Sequence, residues 1–156
     1  MSETVNNCVI PTDRHLDVEE HVWAKVDDGT VTIGMTDVAQ SLAKRFLHAH
    51  LKGAGTAVEK GDSVATVESS KYVGPVKTPV GGEVVEANEA VDDDAEMINM
   101  DPYGEGWIVK VEPDNLEADL ESTVEGEAAV EAYREVIENH DQLEECEHLE
   151  GSTLAD

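Results

Sequence analysis

Short runs of strand-like alternation, separated by turns and short helical stretches, recur up to Val111, and a helical period appears near the carboxyl end. Residues 21–26 read as a strand, Asp28-Gly29 as a two-residue hairpin turn and residues 30–35 as the returning strand. Thr36 is placed to cap a short helix through residues 37–42. Residues 44–51 read as a further strand, with Lys44, Phe46, His48 and His50 on one face and Arg45, Leu47, Ala49 and Leu51 on the other. Gly53, Gly55 and Gly61 mark turns. Residues 61–68 and 76–88, the second run broken by a Gly81-Gly82 turn, have the β-branched content of strands in a small sandwich. Pro75 and Pro79 place edges or bends there, since proline cannot donate to a ladder. Residues 92–99 predict one helix, with acids favoured at its positive amino end. A loop over 101–106, with tight turns at Gly104 and Gly106, leads to a buried Trp107 and a last strand over 107–111.

Past Pro113 the pattern changes. Ser122 and Glu125 have the spacing of a capping box, and Ala129, Val130, Tyr133, Val136 and Ile137 recur on one helical face. The expected architecture is mainly β: one domain over residues 1–137, closed by an amphipathic helix folded back on the sandwich. Residues 1–7 are polar and expected to be loose. Residues 138–156 are acidic and weakly apolar, and are expected to form a mobile tail.

Composition sharpens this picture. Aromatic residues make up only 4%, so the core must rest on Val, Ile, Leu, Ala and Met. The formal net charge of −26 is repelled by nucleic acid and by anionic lipid, so neither is an expected partner. Such charge suits a salt-adapted (halophilic) host, because molar salt shortens the Debye length to about 3 Å; the alternative is local acid meeting basic partners. No apolar run has the length of a membrane span and none follows a basic amino terminus, so a soluble cytoplasmic protein is expected. Cys8 and Cys146 match no metal spacing and make no disulfide framework; free thiols are the expectation, and a thiol exchanging with a dithiol cargo the alternative. The histidines have no third ligand at helical or hairpin spacing, so no metal site is expected.

The candidate chemistry centres on Lys71, between two short strand-like runs in a chain poor in lysine. An amine at a hairpin tip is open to acylation by another enzyme. The sequence around it, Glu68-Ser69-Ser70-Lys71, resembles the Glu-Ser-x-Lys lipoylation motif of glycine-cleavage H proteins. The resemblance runs on through residues 78–90 and 98–107 and, upstream, through 21–23 and 31–40, so that it spans roughly residues 15–137. It implies a lipoyl/biotinyl-type barrel-sandwich hybrid, with lipoate in amide linkage to Lys71. It also implies a non-catalytic carrier, with Glu68 recognised by a lipoate ligase or lipoyltransferase and Ser69, Ser70 and Tyr72 beside the cofactor. Tyr72 would shield the dithiolane. Lys77 is a competing acceptor that lacks the Glu-Ser context. Biotin carriers differ in having methionine beside their lysine.

Two stretches depart from the glycine-cleavage pattern: Tyr72-Val73-Gly74-Pro75 after the lysine, and the cationic residues 44–52. The first looks like the lipoate-binding proteins of the sulfur-oxidising, heterodisulfide-reductase-like system, as do the Ile10-Pro11 opening and residues 18–23. The preferred expectation is therefore a carrier of sulfur intermediates partnered with that complex. The alternative is a glycine-cleavage H protein serving glycine decarboxylase, aminomethyltransferase and dihydrolipoamide dehydrogenase. An unmodified interaction module is the third reading. The cluster of Lys44, Arg45, His48, His50 and Lys52 either offsets neighbouring acids or forms a docking surface or anion handle.

Overall fold

In the computed structural model, which describes residues 2–139, 143 and 145–154, the alternating runs fold into three antiparallel sheets. The chain opens with a hairpin of β1 (Ser2–Val5) and β2 (Cys8–Pro11). Then come β3 (His15–Asp17), β4 (Val22–Asp27), β5 (Thr30–Met35), α1 (Asp37–Ala43), β6 (Phe46–Leu51) and β7 (Ala57–Val58). The middle supplies β8 (Ser63–Ser69), β9 (Val73–Lys77), β10 (Gly82–Ala87) and two short helices, α2 (Glu89–Asp93) and α3 (Met97–Met100). The described elements end with β11 (Val109–Pro113), α4 (Leu116–Leu120) and α5 (Gly126–Asn139).

A six-stranded sheet, β3-β4-β5-β11-β10-β7, packs on a three-stranded one, β6-β8-β9, in a mainly β, lipoyl barrel-sandwich arrangement. The main core lies between them and is aliphatic, as the scarcity of aromatics requires: Val31, Ile33, Val64, Val67, Val84 and Val111 are fully buried. A second core gathers Ile10, Leu16, Trp23 and Val38 against the apolar stripe of α5, where Ala129, Val130, Tyr133 and Ile137 are buried and Val136 is half-buried.

Local chemistry explains the elements. Asp28 and Gly29 both adopt positive φ (51° and 78°), the two-residue turn whose twist suits a hairpin. The Thr36 hydroxyl accepts from the Ala39 N–H and so caps α1. Pro75 sits in β9, an edge strand, where its missing N–H faces no partner. Trp23 lies opposite Gly34 across β4 and β5. A Cβ at Gly34 would stand 2.5 Å from the indole, which is itself held by a hydrogen bond from Trp23 Nε1 to the Pro102 carbonyl (2.9 Å). Gly34→Ala should therefore destabilise the protein by about 1–3 kcal/mol, the range for overpacking a close-packed core. Urea denaturation checks this, and an unchanged midpoint would count against the packing argument.

Several expectations give way to the structure. The helix expected over 92–99 is two helices, α2 capped by Asn88 and α3. Asp94 leaves helical geometry, and its carboxylate accepts from the Glu96 N–H (3.2 Å), a local bond that competes with the helix. The capping box at Ser122 and Glu125 does not start a helix. Val124 pairs with Leu16 in a β-bridge and postpones α5 to Gly126, while the Ser122 hydroxyl takes a bond from Lys60. Trp107 is half-buried rather than buried, with Lys110 Nζ 4.9 Å from its ring centroid; Trp23 fills the core instead.

In β6, Phe46 pairs with Ser69 and His48 with Glu68, so Leu47 is an extra residue that shifts the alternation. Phe46 is thus buried with Ala49, whereas His48 and His50 face out. Residues 2–5, expected to be loose, form β1.

The largest correction concerns the cysteines. Cys8 and Cys146 are not free: they form a disulfide with a Cα separation of 4.8 Å, across 138 residues of sequence. Cys146 reaches Cys8 because the described part of the tail packs on the body. Its N–H donates to the Asn6 carbonyl and its carbonyl accepts from Asn7 Nδ2 (3.0 Å each). Leu143 is buried, Thr153 N–H donates to the Met100 carbonyl (2.8 Å), and His148 Nε2 lies 2.8 Å from the buried Asp37 carboxylate. At these residues the acidic carboxyl end makes specific contacts where a frayed tail was expected. Residues 140–142, 144, 155 and 156 of that stretch lie outside the described residues.

Candidate functional site

β8 and β9 are joined by Ser70, Lys71 and Tyr72, and this turn is built by Ser69. The Ser69 N–H donates to the Tyr72 carbonyl (2.7 Å), its hydroxyl accepts from the Lys71 N–H (3.2 Å) and donates to the Tyr72 carbonyl (3.4 Å). Ser69 is buried, while Ser70 and Lys71 are exposed. A buried hydroxyl that satisfies the turn's own backbone holds the tip in one shape and leaves the lysine side chain outside it. Among the described residues no ion pair or hydrogen bond ties the Lys71 amine. Lys77, by contrast, lies 3.9 Å from the Glu20 carboxylate.

The other sequence-derived residues divide by position. Glu68 is exposed on the outer face of β8, between His48 on β6 and Val73 on β9. Tyr72 is partly exposed, and its ring folds back over Gly74, where a Cβ would stand 2.2 Å from the phenol oxygen. Glycine at 74 is what allows the ring to lie along the strand.

Lys71 and Tyr72 stand on the rim of a cleft of about 320 Å³ between β9 and α1. Its floor is apolar, formed by Met35, Ala39, Leu42 and Ala43, and Glu20 and His21 lie at its mouth. His21 has a positive φ of 57°, a costly backbone for a non-glycine residue, and its ring stacks on Tyr133. The Tyr133 hydroxyl lies 3.1 Å from His21 Nδ1 and donates to the Thr36 hydroxyl (3.3 Å). Burial pushes the Tyr133 phenol well above its ordinary range, so it stays a neutral donor. Sequence reasoning did not assemble this cleft: its floor comes from one face of α1 and the end of β5, elements that the pattern located without saying what lay opposite.

The far side of α1 carries a buried polar knot that the sequence also hid. Asp37 accepts from the Val9 N–H (2.8 Å) and Gln40 Nε2 (2.8 Å), and Gln40 Nε2 also donates to the Glu147 carbonyl (2.8 Å). Asn99 Nδ2 donates to Gln40 Oε1 (3.1 Å) and the Lys44 carbonyl (2.7 Å), and Asn99 Oδ1 accepts from the Phe46 N–H (2.8 Å). Tyr103 donates to the Val9 carbonyl (2.7 Å) and accepts from the Asp37 N–H (2.8 Å); burial holds its phenol well above the usual range. At the surface, the hydrogen bond from Lys44 (2.9 Å) lowers the Glu147 carboxyl below its ordinary value. The knot fixes α1, and with it the cleft wall beside Lys71.

Among the described residues no group of three or more His, Cys, Asp or Glu is placed to hold a metal ion, and no helix is long and apolar enough to cross a membrane. The arrangement offers a presented amine beside an apolar recess. It fits a covalently attached arm with a small apolar head.

Comparison with known proteins points the same way. The family model described as glycine cleavage H-protein matches residues 15–138. Over 140 residues the chain is 49% identical to glycine cleavage system H protein 2 of Aquifex aeolicus, covering 89% of this chain and 87% of that one. It is 48% identical over 138 residues to H protein 3 of the same organism, covering 86% of each. The crystal structure of a glycine cleavage system H protein from Mycobacterium marinum superposes with a TM-score of 0.71 at 31% identity, covering 80% of this chain and 98% of that one.

Proposed function

The chain belongs to the glycine cleavage H-protein family, non-catalytic carriers with lipoate on a lysine, and we propose that Lys71 is the lysine that bears it here. The observation that carries this reading is the untethered Lys71 amine at a turn pinned by Ser69, beside an apolar cleft. An installing enzyme supplies the lipoyl carboxyl activated by ATP. The neutral amine attacks its carbonyl, AMP leaves, the nitrogen loses a proton to solvent and an amide forms. The attached group supplies a dithiolane, a two-electron couple open to thiolate attack. The protein supplies presentation. Lys71 gives an arm reaching about a dozen Å, from bonds of ~1.5 Å. The recess of Met35, Ala39 and Leu42 offers its apolar head shelter, Tyr72 covers the mouth, and Glu68 and Ser70 flank the amine for the installing enzyme.

For the cargo, the relatives' names favour glycine cleavage: an aminomethyl group carried from glycine decarboxylase to aminomethyltransferase, with dihydrolipoamide dehydrogenase reoxidising the arm. Incubating the lipoylated chain with glycine and glycine decarboxylase should add the mass of glycine less carbon dioxide, an aminomethyl group on one sulfur and a hydrogen on the other. A lipoylated chain that gains none would overturn this cargo and leave the carrier reading standing.

A second reading, transport of sulfur intermediates to a heterodisulfide-reductase-like complex, is favoured by two observations. Tyr72-Val73-Gly74-Pro75 places an aromatic ring at the cleft mouth, and a single organism keeps relatives numbered 2 and 3, more carriers than one glycine-cleaving system calls for. Both readings place the protein in the cytoplasm. A disulfide survives there because both sulfurs belong to buried residues, out of reach of attacking thiolates. The net charge of −26 suits a host with concentrated salt.

A further inference from the structure

Charge is distributed unevenly around the Lys71 turn. The chain has 36 Asp and Glu against 10 Lys and Arg, yet neither acid occurs in residues 44–58 or in residues 69–82. The topology brings these two stretches together, because β6 and β9 flank β8 in the three-stranded sheet. Across that sheet His48 lies beside Glu68 and Glu68 beside Val73, while His50 lies beside Thr66 and Thr66 beside Pro75. All six are exposed, and among the described residues of the three strands Glu68 is the only acid. Three of the five exposed large apolar side chains among the described residues stand at this end: Leu47 (50% exposed), Tyr72 (43%) and Val73 (65%). Lys52, at the end of β6, is exposed. The molecule thus presents one acid-poor, partly apolar face, and the acylation candidate stands on its edge.

We propose that this outer face of the β6-β8-β9 sheet is the docking surface for the enzyme that acylates Lys71, and that it selects an enzyme with an acidic rim around an apolar contact. The proposal rests on Lys71 being the acylated residue. Amide formation requires the activated carboxyl to reach bonding distance of the lysine amine, so the installing enzyme must cover the surface next to the turn. Enzymes that later work on the arm meet its far end, about a dozen Å away, and need not touch the sheet. An acidic contact surface would be repelled over most of a body of net charge −26 and tolerated on this face. Leu47 on β6 and Val73 on β9 supply the apolar area that such contacts are built on. The bulge in β6 is what exposes Leu47 and turns both histidines outward.

The test uses the full chain, a purified lipoate–protein ligase, lipoate and ATP, with loading followed by intact mass. The triple variant His48→Glu, His50→Glu, Lys52→Glu should load with kcat/KM at least about tenfold below the parent at low salt, chiefly through KM. The gap should narrow in about 1 M salt, where the Debye length is near 3 Å. Lys52→Glu alone, at an exposed strand end, should show a smaller loss in the same direction and keeps the test valid if the triple variant unfolds. Lys25→Glu with Arg134→Glu, away from this sheet, should change the rate less than about twofold. Equal loading of parent and triple variant, or an equal loss in the distant pair, would overturn the docking surface alone. No mass gain on the parent chain would overturn the Lys71 reading and this surface with it.

Discussion

Lys71→Arg should abolish lipoylation while leaving the fold intact. Arginine keeps the positive charge and nearly the length of lysine. Its guanidinium stays protonated at any working pH and offers no nucleophilic lone pair, so no amide can form. Lys71 is exposed, with no ion pair or side-chain hydrogen bond among the described residues, so the change should shift stability by no more than about 0.5 kcal/mol. Intact mass after incubation with a lipoate–protein ligase, lipoate and ATP should show the parent gaining one lipoyl group and the variant none, with matching melting curves. Lys77→Arg provides the contrast: its loading should equal the parent's, since Lys77 lies near Glu20. A lipoyl mass that persists in the Lys71 variant would move the site elsewhere and detach the cleft and Tyr72 from the function.

The exposed turn that carries Lys71 was legible because it depends on local chemistry. A serine before the tip, a lysine at it and strand-forming residues on both sides define a turn within a dozen residues. Asp28-Gly29 and the Thr36 cap were legible for the same reason: each is a backbone requirement met by a neighbouring side chain. The α5 stripe could be read because 3.6-residue periodicity needs only one helix.

What escaped depends on contacts between distant segments. Nothing in the spacing of Asp37, Gln40 and Asn99 says that they share a buried network, since Gln40 and Asn99 stand 59 residues apart. The phase of β6 was misread because one extra residue, Leu47, exchanges the faces of everything before it. The helix over 92–99 divided where the Asp94 carboxylate accepts from the Glu96 N–H, a competition with the helix that composition does not rank.

The Cys8–Cys146 disulfide is the sharpest case of non-local order, and its removal should produce the largest loss of stability. Joining residues 138 apart confines the unfolded chain strongly; the chain-entropy treatment gives about 5 kcal/mol for a loop of this size, and measured native disulfides typically give about 2–4. Cys8→Ser with Cys146→Ser, or the parent in excess dithiol under mild denaturant, should therefore melt roughly 4–16 °C lower, at about 2–4 °C per kcal/mol for this chain length. The loss should begin at the carboxyl end. Without the covalent tie that segment is held only by non-covalent contacts: the Cys146 bonds to Asn6 and Asn7, the Thr153 bond to Met100, the buried Leu143 and, on α1, the Glu147 bonds to Gln40 and Ser41 and the His148 contact with Asp37. The contacts with α1 rest on its side opposite the cleft floor of Ala39, Leu42 and Ala43. Hydrogen exchange should accordingly rise first in residues 145–154, next in α1, and least in the Val67 and Val84 core. A reduced chain with unchanged melting and unchanged exchange in α1 would show that the non-covalent packing suffices, and that the disulfide neither stabilises the fold nor steadies the cleft wall beside Lys71.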